Sequence, residues 1–177
     1  MSPEHTRALA NEEAQAYLQD VQSLRATHLE ARRRLLLAAA VPGLHGRLRV
    51  AYLSGTGFQS FTTTAHFIVG VLEAHRPETV DASCYAFLPD DGSEIRRRIG
   101  RACGMHEAAA WSHAEVAARL NDAMVHVLVD LTGLTLGPRL HLLAAHPTPV
   151  QVHWHGYPGT LGSAASGPQA DGRQGGG

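Results

Sequence analysis

The sequence predicts an α/β protein whose strands lie parallel in one sheet, and three observations carry that prediction. Four compact apolar runs recur along the chain: Leu48–Leu53 (LRVAYL), Val80–Phe87 (VDASCYAF), Val125–Leu131 (VHVLVDL) and Val150–Trp154 (VQVHW). Each ends in a small or polar loop, and helix-like stretches alternate with them. Strands joined through helices are the pattern of parallel pairing with crossover connections. At 177 residues there is room for one ordinary domain and little more.

Before the first run, Asn11 to Ala40 reads as a long helix. Ala14, Tyr17, Leu18, Val21, Leu24 and His28 recur at three- and four-residue steps and form one apolar stripe. Val41-Pro42-Gly43 breaks it, since proline lacks the N–H and glycine frees the backbone. Residues 1–43 are therefore a separate leading segment. The first strand ends in Ser54-Gly55-Thr56-Gly57 and is followed by a helix over Thr63–Ala74. The second ends at Pro89-Asp90-Asp91-Gly92 and is followed by a helix over Ser93–Arg101. Ser112-His113-Ala114-Glu115 fits a capping box, which starts a helix running to Asn121. The third strand ends at Thr132-Gly133, and Pro138 opens a short helix to Ala145 at a position where proline is permitted. The fourth ends at His155-Gly156-Tyr157-Pro158-Gly159-Thr160. Residues 163–177 have no periodicity and much glycine, and are expected to be disordered.

Charge and composition exclude several classes. Fifteen Lys and Arg against sixteen Asp and Glu leave no basic excess for a nucleic-acid surface. Arg32-Arg33-Arg34 and Arg96-Arg97-Arg98 lie in helical contexts and read as solvated faces. No apolar stretch approaches the ~20 residues that span a bilayer, so no membrane partner is expected. The first residues lack the basic-then-apolar order of a signal peptide. Cys84 and Cys103 make neither a disulfide framework nor a zinc pattern, and Cys84 is expected to pack as a small apolar residue. The expected compartment is intracellular and reducing, cytoplasmic or nuclear.

In a parallel sheet, ligands collect where the strands end and loop N–H groups converge. The loops after residues 53, 87, 131 and 154 should therefore build the functional surface. Ser54-Gly55-Thr56-Gly57 occupies the phosphate-loop position, yet it is neither G-x-G-x-x-G nor a Walker sequence. It reads first as a tight turn with a polar lining. Asp90 and Asp91 offer two carboxylates, either for acid–base work or as a turn with helix N-terminal charge; Asp90 is the one expected to face inward. His66 lies in the helix after the first strand, close to the expected cleft. His153 and His155 alternate along a strand end and so share a face; a metal would also need His126 or Asp130, and no further spacing supports one. Gly156 and Gly159 flank a rigid Tyr157-Pro158 step, which fits either an ordinary turn or a loop closing on a ligand.

Taken in order, LRVAYLSG, CYAFLPDDGSEIRRRI and VHVLVDLTGLTLGPRLHLLAAHPTPVQVHWHGYPGT resemble the protein O-linked N-acetylglucosamine transferases, a family that includes the Spindly-type relatives. The resemblance covers about residues 47 to 162. It implies the first Rossmann-like lobe of a two-lobed GT-B fold, here residues 44–162. It also implies transfer of N-acetylglucosamine from UDP-N-acetylglucosamine to Ser or Thr of proteins, with inversion and with neither metal nor cofactor. In such relatives tetratricopeptide repeats precede the lobes, although no 34-residue period is visible here. The resemblance places Gly156, Tyr157, Pro158, Gly159 and Thr160 in the loop that touches the donor sugar, and makes His66 the match to a family histidine. The family's first loop reads Ser-x-Asp-Phe followed by His-Pro. Here the acid is replaced by Thr56 or Gly57, and the first histidine by Phe61 or Thr62.

In the family a second lobe follows and supplies most uridine and diphosphate contacts. The glycine-rich tail stands in its place, so a truncated, inactive piece of a transferase is the first expectation. A non-catalytic binding or regulatory module derived from that lobe is the second, and an unrelated nucleotide-binding α/β protein the third.

Overall fold

The computed structural model describes residues 46–135 and 140–156. The leading stretch Asn11 to Ala40, Tyr157 to Thr160 of the last loop, and the 163–177 tail lie outside the described residues. In chain order the elements are β1 (Leu48–Ser54), α1 (Thr63–Ala74), β2 (Val80–Ala86), α2 (Glu94–Ala102), β3 (Gly104–Glu107), α3 (His113–Asp122), β4 (Val127–Asp130), α4 (Leu140–Ala144) and β5 (Val150–His153). The sheet order is β3-β2-β1-β4-β5, with every neighbouring pair parallel. This is the Rossmann-like arrangement the sequence predicts, with one strand more.

That strand, β3, is the edge beside β2, where Cys84 pairs with Met105 in register. Its sequence, Gly-Met-His-Glu, is short and none of it is fully buried. Edge strands need no run of apolar residues, so hydrophobic patterning does not reveal them.

The sheet is covered on both faces. On one, α1 places Ala65, Ile68, Val69 and Leu72 against Val50, Tyr52 and Val129, and α2 adds Ile95 and Ile99. On the other, Val116, Ala117 and Leu120 of α3 and Leu142 of α4 pack on Ala51, Leu53, Tyr85 and Leu128. The spacing of the buried positions on α1 and α3 is the three-and-four step of a helix with one apolar stripe. The helices α1, α2 and α3 each start on a hydroxyl cap. The Thr62 side chain accepts from the Ala65 N–H, Ser93 accepts from the Arg96 N–H, and Ser112 with Glu115 closes the expected capping box. Such caps contribute about 1 kcal/mol each.

Two expectations are overturned. Cys84 and Cys103 are joined in a disulfide, with their Cα atoms 6.2 Å apart. A spacing of 19 residues carries no geometry by itself; the crossover through α2 is what returns the chain to the flank of β2. The pair closes a loop whose loss in the unfolded chain is worth about 3 kcal/mol. A reductant, or the double change Cys84→Ala and Cys103→Ala, is expected to lower the melting temperature clearly. An unchanged melting temperature would show that the link adds nothing.

The second correction concerns Arg96-Arg97-Arg98. Arg97 and Arg98 do reach solvent-side carboxylates on Glu94 and Glu73. Arg96 does not lie on that face: its side chain is only 2% exposed and pairs with Glu107. Helical rotation separates neighbours by 100°, so one arginine of three points at the sheet edge.

Candidate active site

Because all five strands are parallel, their carboxyl ends share one edge of the sheet. The connections from β1 and β4 leave in opposite directions, toward opposite faces. The crevice between those two strand ends is the topological switch point, where open α/β sheets bind ligands. One hydrogen bond spans it. The Gly55 N–H donates to the Thr132 hydroxyl at 2.7 Å, and Thr132 is buried.

Directly beneath is Asp130, 1% exposed at the end of β4. Its carboxylate accepts from the N–H groups of Thr132 (3.1 Å) and Gly133 (2.8 Å). It also meets His153 Nδ1 of the neighbouring strand at 3.1 Å. Gly133 has φ of 58°, a left-handed conformation that glycine adopts without steric cost and that lets both amides turn onto one carboxylate.

The last loop sits hard against this hub. A Cβ added at Gly156 would fall on the Leu131 carbonyl and 2.9 Å from the Thr132 Cα, so no other residue fits there. The preceding turn is tight, because the Gly156 N–H donates back to the Trp154 carbonyl at 3.1 Å. His155 at its centre has φ of 75°, uncommon for a residue with a side chain. Its ring rests on Phe67 of α1, with centroids 4.7 Å apart. The remainder of the predicted sugar loop, Tyr157 to Thr160, lies outside the described residues.

The first two loops are braced to each other in the same way. Gly57, at φ of 67°, leaves no space for a Cβ, which would lie 2.6 Å from the Leu88 carbonyl. Gln59 donates to the Pro89 carbonyl at 2.9 Å. The Ser60 N–H donates to Asp91 at 2.7 Å, and this bond above all holds the Asp91 carboxyl well below its ordinary value of 3.8. A depressed carboxyl stabilises the fold above the unfolded value and loses that contribution as pH falls toward the folded one. The Ser60 amide is therefore expected to stay protected from exchange at pH 4 and to lose protection only in stronger acid. Loss of protection already at pH 5 would rule the brace out.

The sequence-predicted residues divide accordingly. His66 is exposed and its Nε2–H donates to the Ser60 carbonyl at 2.8 Å, which ties it to the first loop and leaves Nδ1 as the basic nitrogen of the neutral ring. Asp90 is not the inward member of its pair. It accepts from the Gly92 N–H two residues on, and its side chain is 57% exposed. Asp91 crosses to the first loop instead, because the turn at Gly92 aims successive side chains differently. His153 and His155 do not share a face: His153 meets Asp130, whereas the left-handed turn at His155 carries its ring to α1. His126 accepts from the Arg49 N–H at the opposite end of β4, roughly 13 Å along the strand from Asp130. Among the described residues no three His, Cys, Asp or Glu side chains gather as metal ligands.

Asp130 entered the sequence reading only as a metal ligand, and Thr132 only as a strand end. The signal that could have found them is a strand closing in Asp-x-Thr-Gly, where a short acid can accept from the turn amides after it. A cavity of about 470 Å³ also opens at the amino ends of the strands, lined by Arg49, Asp81, Ser83, His106, Arg119 and Asp122. It lies at the far edge from the convergent loops.

Comparison with known proteins places this architecture. The model of glycosyl transferase family 41 matches residues 1–166, nearly the whole chain. The chain belongs to glycosyl transferase family 41. It is 34% identical over 118 residues to the probable UDP-N-acetylglucosamine–peptide N-acetylglucosaminyltransferase SEC of Arabidopsis thaliana, covering 66% of this chain and 12% of the relative. It is 29% identical over 124 residues to the UDP-N-acetylglucosamine–peptide N-acetylglucosaminyltransferase of Caenorhabditis elegans, covering 66% of this chain and 10% of the relative. A solved structure of a mutant Thermobaculum terrenum O-GlcNAc transferase superposes with a TM-score of 0.63 at 27% identity, covering 81% of this chain and 29% of that one. The chain thus spans about a tenth of the curated relatives it matches. The sheet is the N-terminal catalytic lobe of this family, and its fold is that of a GT-B glycosyltransferase lobe. Among the described residues no helix is long and apolar enough to cross a membrane.

Proposed function

We propose that this family 41 lobe forms the sugar-side wall of a cleft in which N-acetylglucosamine passes from UDP-N-acetylglucosamine to a Ser or Thr hydroxyl of a protein. The observation that supports this most directly is the placement of Gly156 against Leu131 and Thr132, at the switch point, with Gly55 bonded to the same threonine. Backbone packed this closely offers a flat floor to a sugar, and excludes side chains that would compete for the space.

In the transfer, the acceptor oxygen attacks the anomeric carbon from the side opposite the leaving group. The bond to UDP breaks, the configuration inverts, and the hydroxyl proton passes to a base. His66, tied through Nε2–H to the first loop, presents Nδ1 for that proton. The reading requires no metal. Uridine and diphosphate contacts fall to a second lobe, so residues 46–156 hold the donor only by its sugar end.

The test is titration of the purified chain with UDP-N-acetylglucosamine, N-acetylglucosamine and UDP, followed by calorimetry and amide resonances. Weak, sugar-dependent shifts at Gly55, Thr132 and Gly156, with no saturable heat from UDP alone, are expected. Tight binding of UDP alone would overturn the assignment.

A second reading has one observation in its favour. Val150 and Val152 on β5, Trp154 just after it, and Phe67 and Val71 on α1 are apolar side chains left 36–58% exposed. A lobe serving as a non-catalytic docking module would use such side chains. Self-association that is abolished by Val152→Lys, with no sugar-dependent shifts, would favour it.

A further inference from the structure

The Asp130 carboxylate and the His153 ring are not explained by the sheet. A buried aspartate at the end of a core strand is rare unless something holds it, and here three donors converge on one carboxylate. Two of them, the N–H groups of Thr132 and Gly133, have fixed protons. A carboxylate that already accepts from both can only accept from the third partner as well. The chemistry therefore assigns the proton in the third contact to His153 Nδ1, which donates to Asp130 Oδ2 at 3.1 Å.

We propose that Asp130 is the positioning residue of the cleft: it fixes a proton on Nδ1 of His153, and through that bond sets the position of Gly156, three residues later, where the donor-sugar loop begins. The proposal rests on the functional reading above for what the loop holds, but not for the bond itself. Its geometry is a chain of short links. Asp130 holds the turn at Thr132 and Gly133, and the Thr132 hydroxyl holds Gly55 across the switch point at 2.7 Å. His153 ends β5 in register with Asp130, and Gly156 then packs onto Leu131 and Thr132. The loops after β1, β4 and β5 are thus referred to one carboxylate. Such a hub is a second layer of support, and precision in a site depends on that layer.

The decisive experiment records the ring nitrogens of His153 by long-range ¹⁵N–¹H correlation in the full chain. The expected result is a ring that carries a proton at Nδ1. Asp130→Asn leaves one accepting oxygen for three donors, so either the His153 contact reverses, with the ring accepting at Nδ1 from the amide, or a turn N–H loses its acceptor. In either case the Gly156 amide resonance should move. A wild-type ring with no proton at Nδ1, or an asparagine variant in which the tautomer, the Thr132 and Gly133 protection and the Gly156 resonance are all unchanged, would overturn the proposal.

Should Asp130→Asn fail to fold, His153→Phe keeps the buried carboxylate and a ring but removes the donor. It is expected to leave the Thr132 and Gly133 amides protected while shifting Gly156 and abolishing its response to UDP-N-acetylglucosamine. A Gly156 resonance that stays in place would sink the idea. Because the tautomer is read without ligand, a correct tautomer with no sugar response in the parent would fault the functional reading and leave the positioning role standing.

Discussion

Gly156→Ala is expected to disrupt the cleft more than a methyl group added at any other described glycine. The new Cβ would meet the Leu131 carbonyl and lie 2.9 Å from the Thr132 Cα, both backbone atoms with no rotamer to yield. The strain must therefore be relieved by lifting the last loop off the switch point. Overpacking of this kind costs typically 1–3 kcal/mol, and the stability loss is expected near the upper end. The loss of function should exceed the loss of stability, since displacement of a binding loop by about 1 Å removes positioning that packing alone does not measure. Denaturant midpoints of parent and variant, taken with the titration of UDP-N-acetylglucosamine, check both parts. A variant that unfolds at the parental midpoint and keeps the sugar response would show that the loop can move aside freely, contrary to its packing.

Arg96→Ala is the second. The guanidinium is buried at 2% exposure, meets Glu107 at 2.5 Å and Met105 Sδ at 3.1 Å, and lies 5.8 Å from the centroid of the Phe58 ring. Phe58 is itself buried, with φ of 61°, in the loop that follows β1. Truncation removes the packed stem as well as the charge and leaves a cavity beneath that loop. The expected loss is about 3 kcal/mol, seen as a lower denaturant midpoint with faster exchange at the Phe58 and Gly57 amides. Arg96→Met should recover much of it, because an apolar chain of similar length fills the space without a charge to desolvate. Glu107→Ala should cost less than Arg96→Ala, about 1–2 kcal/mol, since Glu107 is half exposed and water can replace it. Equal stability of parent and Arg96→Ala would remove the argument for a buried brace.

Both effects arise where neighbours in space are distant in sequence, and that separates what could be read early from what could not. Thr63–Ala74 is a helix over the range its pattern predicts, and the box at Ser112 and Glu115 caps α3 as expected. Local rules suffice there, because a cap or an apolar stripe is satisfied within a few residues. The motif order from LRVAYLSG to HWHGYPGT likewise carried the family, since it samples the whole lobe. Asp90 and Asp91 show the limit. Both sit in one turn, and only the approach of Ser60 from another loop decides which of them braces the cleft.

The class of fold, the four core strands and the edge of the sheet on which the loops converge are legible along the chain, because burial of periodic apolar residues dictates them. Tertiary structure alone decided the fifth strand, the pairing of Cys84 with Cys103, the burial of Arg96, and the gathering of Gly55, Asp130, Thr132, His153 and Gly156 around one switch point. Those depend on strand order and register. Chain reversals through the crossover helices set them, and no spacing along the sequence encodes them locally.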